Sequence, residues 1–204
     1  MNTYIKESKK KEFVSLLMET KRKGIENVVE KLESLGFFQA PASANRHLSC
    51  EGGLLTHSLN VYHTAVYIWC ALCHGNVKPD GVISFESLIL TTLLHDVCKA
   101  AIYKPTIKRR KNAETGLWED VPGYDLDYGY MPFGHGEKSV IMLLQMGLEL
   151  TEEEMAAIRW HMGGWGVNKD SREDLSCMEE AKNRYPLVTV LQTADMISAA
   201  ILEK

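Results

Sequence analysis

The sequence predicts an all-α protein, a helical bundle with one small β-hairpin inserted between its helices. Apolar residues recur at three- and four-residue spacing along most of the 204-residue chain, as amphipathic helices require. Glycine, proline and capping residues stand where these periodic stretches stop. A strongly charged stretch at 101–131 lacks the helical period, and extended structure is expected there.

Local residues explain most of the expected helix boundaries. Gly36 follows the second helix, and Thr151 with Glu154 forms a capping box. A glycine pair beginning at Gly163 ends the sixth helix, and Pro186 suits the first turn of the last one. The helices are predicted at 9–20, 24–35, 53–74, 85–100, 136–147, 151–161 and 185–203.

The hairpin is predicted where two extended runs, 103–111 and 117–124, flank a polar turn that contains glycine. The first arm is basic and the second acidic, so cross-strand ion pairing on a solvated hairpin is the simplest interpretation. The alternative is that the basic arm covers an anionic substrate. Its candidate substrate contacts are Lys108, Arg109 and Arg110.

Composition restricts the function classes. Hydrophobic residues make up 45% of the chain, enough for a buried core, which excludes wholesale disorder. The net charge of −4 argues against general coating of nucleic acid or of an anionic membrane. No uninterrupted apolar stretch reaches the roughly 18 residues that a membrane span needs, and the lysine-rich first residues do not resemble a secretory signal. We therefore expect a cytoplasmic protein with reduced thiols and no membrane partner.

One domain with a short extension is expected, because the chain is only moderately longer than the roughly 150 residues of a typical domain. Residues 1–40 are predicted to form a helical extension packed on the core. Residues 41–204 are predicted to form the domain that carries the hairpin.

Two acidic residues stand in stretches too apolar for a surface helix. Asp96 follows one such stretch, and Asp195 lies in a helix that is apolar on most sides. A buried carboxylate needs a cation, and only Asp96 has a basic neighbour in its own turn, Lys99. A divalent metal would satisfy both acids and accept neutral imidazoles from several helices, although each histidine alone would more often be an ordinary helix-end residue. The candidate ligands are His57, His95, Asp96, His135, His161 and Asp195.

The order of these residues resembles the HD-domain superfamily, whose pattern is H…HD…D with two further histidines in dinuclear members. Residues 52–58 read GGLLTHS and resemble the GGLLxHS opening of several HD hydrolases. Residues 93–99 read LLHDVCK and resemble the LLHDxxK motif. The resemblance covers about residues 45–203 and implies an HD-domain helical bundle; the inserted hairpin is not part of the family's core pattern.

The resemblance also implies roles for single residues. Asp96 would bridge two metal ions, and Lys99 would contact the substrate phosphate; these two are the implied catalytic residues. Arg46 and His47 precede the first motif much as a basic segment does in the exoribonuclease branch, and they are weaker substrate-binding candidates. The first ion would be held by His57, His95, Asp96 and Asp195, and the second would add His135 and His161.

The implied activity is hydrolysis of a small phosphate ester, such as a nucleotide, by a metal-activated hydroxide. The cofactor would be one or two divalent transition-metal ions, and iron, manganese, zinc and nickel all suit these ligands. Two alternatives use the same residues. One is a mixed-valence di-iron oxygenase, because HD-domain proteins that cleave C–C or C–P bonds with dioxygen have this ligand set. The other is a non-catalytic module that binds metal or a nucleotide.

Overall fold

The computed structural model describes residues 3–74, 83–129 and 131–204, which are mostly helical with one two-stranded antiparallel sheet. The predicted helical class with an inserted hairpin is confirmed at this level. The elements are α1 (Thr3–Glu19), α2 (Ile25–Ser34), α3 (Gly53–His74), α4 (Phe85–Leu94), α5 (Lys99–Ile102), β1 (Tyr103–Lys111), β2 (Trp118–Leu126), α6 (His135–Gln145), α7 (Glu152–Trp160), α8 (Arg172–Arg184) and α9 (Pro186–Ile197). A 3₁₀ turn at Gly163–Trp165 follows α7, and a π-helical turn at Ser198–Leu202 follows α9.

None of the described helices is by itself both long and apolar enough to cross a membrane. The bent pair made of residues 172–184 and 186–202 meets the length and composition criteria only when its two parts are taken together. Both parts meet at an angle of 103°.

The prediction of one continuous helix at 85–100 is wrong. In the structure α4 ends at Leu94, and the short helix α5 begins at Lys99. Between them the amides of Val97 and Lys99 donate to carbonyl oxygens only three residues earlier, at 3.2 and 2.9 Å. This tighter turn interrupts the α-helical hydrogen-bond ladder. The break falls on His95 and Asp96, the two adjacent candidate ligands.

The sequence pattern missed α8 because that helix is polar on nearly every side. Ala181 is its only buried residue within the described chain, so no apolar stripe marks it. A capping signal was nevertheless present. The Ser171 hydroxyl accepts a hydrogen bond from the Asp174 amide at 3.2 Å and so begins the helix.

The core consists of two hydrophobic clusters that meet along α3 and α4. In the first, Phe13, Phe37 and Phe38 pack ring against ring, with centroids 5.2 to 5.7 Å apart, beside residues of α3 and α4. In the second, α9 residues such as Leu187 and Leu191 pack against α3, α4 and α7. The first 40 residues therefore contribute to a shared core, and a boundary at residue 40 stays a prediction.

A partly buried group of ion pairs ties the turn before α2 to α4 and α7. The Arg22 guanidinium donates to both carboxylate oxygens of Glu154 at 2.8 Å and to Glu86 at 2.6 Å. The Ser87 hydroxyl donates to Glu154 at 2.7 Å, and the predicted capping box with Thr151 is present. Burial would raise the pKa of Glu154, but Arg22 and these other donors hold it below its usual 4.5.

Glu154→Gln is expected to lower the free energy of unfolding by about 1–3 kcal/mol, because it leaves buried donors without a charged acceptor. A depressed folded-state pKa stabilises the protein above the unfolded pKa, and that stabilisation is lost as pH falls through the folded value. The difference between wild type and variant should therefore be complete at pH 7 and shrink below about pH 4.5. Urea denaturation at several pH values measures it. A difference that stayed constant to pH 3 would contradict a charged Glu154.

Candidate metal centre

The six predicted ligands lie together, and four of them lie at or beside the end of a helix. His95 caps the C-terminus of α4 and is followed by Asp96, His161 caps α7, and His135 is the first residue of α6. His57 lies in the first two turns of α3, and Asp195 lies near the end of α9. The six ligands are His57, His95, Asp96, His135, His161 and Asp195.

Two of the histidines are oriented in the same way. The last carbonyls of a helix have no partner within the helix. His95 Nδ1–H donates to the Thr92 carbonyl at 2.9 Å, and His161 Nδ1–H donates to the Ile158 carbonyl at 2.7 Å. The proton on Nδ1 leaves the Nε2 lone pair free in the neutral ring, and Nε2 of both residues faces the site. Each helix end therefore sets the tautomer of its capping histidine.

Asp96 is at the centre of the group. Its Oδ2 lies 3.5 Å from His57 Nε2 and 3.2 Å from His95 Nε2, whereas its Oδ1 lies 3.6 Å from His161 Nε2. Asp195 Oδ1 lies 3.2 Å from His57 Nε2. The two oxygens of Asp96 thus face different imidazoles, as a carboxylate shared between two cations would.

The candidate ligand atoms form overlapping triads within which all atoms lie within 4.8 Å of one another. Two of these triads contain Asp96, and His95 and His161 each belong to two. The arrangement could hold one metal ion or two. The triads built from the six predicted ligands are His57–His95–Asp96, His95–His161–Asp195 and Asp96–His135–His161, and a fourth group beside them is His47–His57–Glu203.

Several of these atoms are buried without a hydrogen-bond partner. Such atoms are rare in native proteins, and each costs about 1–3 kcal/mol when left unpaired. Within the described part of the chain, most of the unpaired buried side-chain atoms belong to this site. A cation between them would satisfy them together, so the residues present fit a metal ion. The unpaired site atoms are Nε2 of His57, His95, His135 and His161 and Oδ1 of Asp96.

The charges of the site are strongly perturbed. Burial opposes ionisation of Asp96, but Lys99 and His95 hold its pKa well below its usual 3.8. Burial alone would lower the pKa of His57, yet the nearby carboxylates of Asp195, Asp96 and Glu203 hold it well above 6.5.

Burial favours the neutral form of two other histidines of the site, His135 and His95. Burial lowers the pKa of His135 to about 4, and burial also lowers the pKa of His95. A neutral imidazole is the form that binds a metal. These two rings need not lose a proton at pH 7 before an ion can bind.

Lys99 occupies the position that the sequence predicted for the partner of Asp96. Its ammonium lies 2.6 Å from Asp96 Oδ2, and its side chain is 12% exposed. Burial disfavours its charge, but Asp96 raises its pKa above the usual value. Asp195 has no basic residue in its own turn, as the sequence indicated, and its contact at 3.2 Å is His57, a ligand predicted for the same site.

Sequence reasoning missed Glu203, which is buried behind His57. Its two carboxylate oxygens lie 3.1 and 3.0 Å from His57 Nδ1. No motif marks Glu203, and a glutamate near the end of an apolar helix looks like an ordinary polar residue. Its contact with His57 becomes visible only when the folded chain is seen.

The two weaker substrate candidates differ in their surroundings. His47 is half-buried, and its ring centroid lies 5.1 Å from that of His57. Arg46 is exposed on the same loop. The loop is held by the Ser43 hydroxyl, which donates to the His47 carbonyl and accepts from the Arg46 amide, both at 2.8 Å. The structure therefore brings His47 to the site and leaves Arg46 at its outside.

The basic arm of the hairpin makes cross-strand contacts and one contact with a neighbouring loop, and its role in covering a substrate stays a prediction. Lys108 forms an ion pair with Asp125 at 2.6 Å, as expected for a solvated hairpin. Arg110 instead donates to Asn45 at 2.9 Å, which ties the arm to the loop that carries His47. Arg109 is exposed. The antiparallel register places Lys108 opposite Val121, Arg109 opposite Asp120 and Arg110 opposite Glu119.

No protein-family model, curated protein or solved structure matches the chain. What the site can do therefore follows from its own residues. Four imidazoles and two carboxylates in a buried group are ligands that suit divalent transition metals.

Proposed function

We propose that the protein is a metal-dependent phosphohydrolase of the HD-domain type, acting on a small phosphate ester such as a nucleotide. The observation that supports this most is the convergence of unpaired, buried imidazole nitrogens around a single carboxylate, Asp96. The HD-like motifs GGLLTHS and LLHDVCK carry ligands of this group, which links the motif resemblance to the geometry.

The residues divide into holding and reacting roles. His57, His95, Asp96 and Asp195 would hold one ion, and His135 and His161 would hold a second that shares Asp96. Ions held there would acidify a bound water and polarise a phosphoryl oxygen. The chain itself supplies Lys99, which keeps its proton beside Asp96 and reaches the partly exposed edge of the site. Its ammonium would neutralise charge that develops on the phosphoryl group.

Element analysis of protein purified without chelator, together with a phosphate-release screen of nucleotides and phosphomonoesters, tests the proposal. Close to two transition-metal ions per chain and phosphate release that persists without dioxygen are expected. If the protein held one ion per chain and added metal did not increase that number, the second site would be ruled out. Turnover that strictly requires dioxygen, with no phosphate released from any ester, would favour the oxygenase. A metal-loaded protein without either activity would favour the binding module.

Reversing Arg109 and Arg110 to Glu is expected to raise KM for an anionic ester more than it lowers kcat. A contact from the arm acts on the bound substrate and transition state alike, which affects KM. The wild-type advantage should decrease as salt screens these exposed charges. Steady-state kinetics at 0.05 and 0.5 M salt (about 14 and 4 Å Debye length) measures both effects.

The matched control reverses Lys11 and Arg172 to Glu, two exposed residues outside the hairpin, which changes net charge equally. The control should leave KM unchanged. If both double variants had the same kinetics as wild type, the hairpin charges would have no role in substrate binding. They would then serve only solvation and cross-strand pairing.

A further inference from the structure

The structure assigns a positioning role to Glu203: we propose that its carboxylate holds His57 in the orientation and tautomer that present Nε2 to a metal ion. The inference rests on the metal binding in the proposed function but not on hydrolysis. It concerns a residue outside the motifs and outside the predicted ligand set.

The contacts of Glu203 all point towards this role. Its side chain is 1% exposed, and both oxygens lie within 3.1 Å of His57 Nδ1. The Asn60 side-chain amide donates to Oε1 at 2.9 Å, which fixes the carboxylate from the adjacent turn of α3. His47 Nε2 lies 3.9 Å from Oε2, beyond hydrogen-bond distance. His57 is thus the closest charged partner of Glu203 among the described residues.

His57 needs such a partner because its place in the fold differs from that of His95 and His161. Those two cap helix ends, where unpaired carbonyls accept their Nδ1–H groups. His57 lies inside α3, where the backbone carbonyls of the preceding turn belong to the helical ladder. A buried carboxylate supplies the missing acceptor. Histidines that bind metals commonly donate their other N–H to a carboxylate or carbonyl, which fixes the ring and raises its basicity.

The π-helical turn explains how Glu203 reaches His57. After Ile197 the chain widens to π geometry over Ser198–Leu202, and the Glu203 amide donates to the Ser198 carbonyl five residues earlier, at 3.1 Å. One residue corresponds to about 100° of rotation in an α-helix. An uninterrupted α-helix would therefore direct the Glu203 side chain to another face. Single π turns of this kind occur frequently at functional sites.

The test is a titration of the full-length, chelator-stripped protein with Co²⁺, followed by its visible absorption. Wild type, Glu203→Ala, Glu203→Gln and the exposed control Glu180→Gln are compared. We expect Glu203→Ala to weaken one of two Co²⁺ sites by about 10- to 100-fold and to leave the other unchanged. Gln keeps an acceptor for Nδ1–H, so Glu203→Gln should retain most of the affinity, and Glu180→Gln should match wild type.

A second measurement separates positioning from mere structural support. In Zn²⁺-loaded protein, long-range ¹H–¹⁵N spectra of the histidine rings should show His57 with its proton on Nδ1. Glu203→Ala should mix the tautomers, and Glu203→Gln should restore the single one. If Glu203→Ala fails to fold, the test rests on Glu203→Gln. This variant should lose some Co²⁺ affinity at one site, but less than the loss expected for alanine.

The outcomes distinguish this inference from the proposed function. Wild-type Co²⁺ affinity and an unchanged tautomer in both Glu203 variants would overturn the positioning role alone. Three ions in wild type and two in Glu203→Ala would overturn it as well, because Glu203 would then be a ligand of a third ion together with His47. Absence of Co²⁺ binding by wild type would instead overturn the metal-dependent function.

Discussion

Lys99→Met is expected to lower kcat for phosphate-ester hydrolysis by about 100- to 1000-fold while the protein keeps its metal. That loss matches removal of one preorganised donor to a developing oxyanion, about 2.7–4 kcal/mol. Methionine keeps the length of the side chain, so packing around the buried stem changes little. Steady-state kinetics on protein of measured metal content gives the result.

Metal affinity provides the second readout for this variant. The Lys99 ammonium lies 2.6 Å from Asp96 Oδ2. It therefore partly neutralises the carboxylate that would bind a metal ion. Removing it should leave metal affinity unchanged or increased, because the competing cation is gone. Lys11→Met, an exposed lysine outside the hairpin, is the control and should behave as wild type. Loss of metal in parallel with activity would make Lys99 a structural residue rather than a phosphate contact.

Asp96→Asn is expected to abolish both activity and most of the stabilisation that metal provides. An ion at 100 times its dissociation constant stabilises the folded protein by about 2.7 kcal/mol. For a chain of this length that corresponds to a Tm rise of about 5–11 °C. An amide in place of the carboxylate removes the charge shared by two of the triads, so the variant should show little of this rise.

Asp195→Ala separates the two sites in the same experiment. Asp195 contacts His57 but belongs to no triad with His135, so this variant should lose one ion and keep the other. Asp120→Asn, on the exposed side of the hairpin, controls for loss of a carboxylate. A metal-dependent Tm rise in Asp96→Asn equal to that of wild type would show that the ion binds elsewhere.

The sequence was sufficient to predict which residues meet, because two kinds of evidence agree. Asp96 and Asp195 stand in apolar stretches where an unpaired carboxylate is unfavourable, and the order of the histidines, which resembles the HD pattern, supplies their partners. Helix ends explain why His95 and His161 lie where they do. Predicting that these ligands meet required only the correct helices, and the packing angles between the helices were not needed.

What the sequence could not predict depends on small departures from regular helices. The tight turn between Leu94 and Lys99 and the π turn at Ser198–Leu202 each shift the chain by less than one helical turn. Apolar periodicity does not resolve such shifts. Glu203 therefore had no detectable signal, and the contact between Arg110 and Asn45 depends on a tertiary approach that charge patterns do not contain.

The placement of the ligands on separate elements also affects how the fold opens. Proteins exchange amide hydrogens through local openings of single segments, each with its own free energy. His57 and Asp195 are 138 positions apart, and the other ligands lie at the ends of α4, α6 and α7. Ions held by these ligands would join these ends, so that no end could fray without losing a metal bond. Amide exchange near these ends would then slow towards the rate of global unfolding, and separate openings would merge into one cooperative unit.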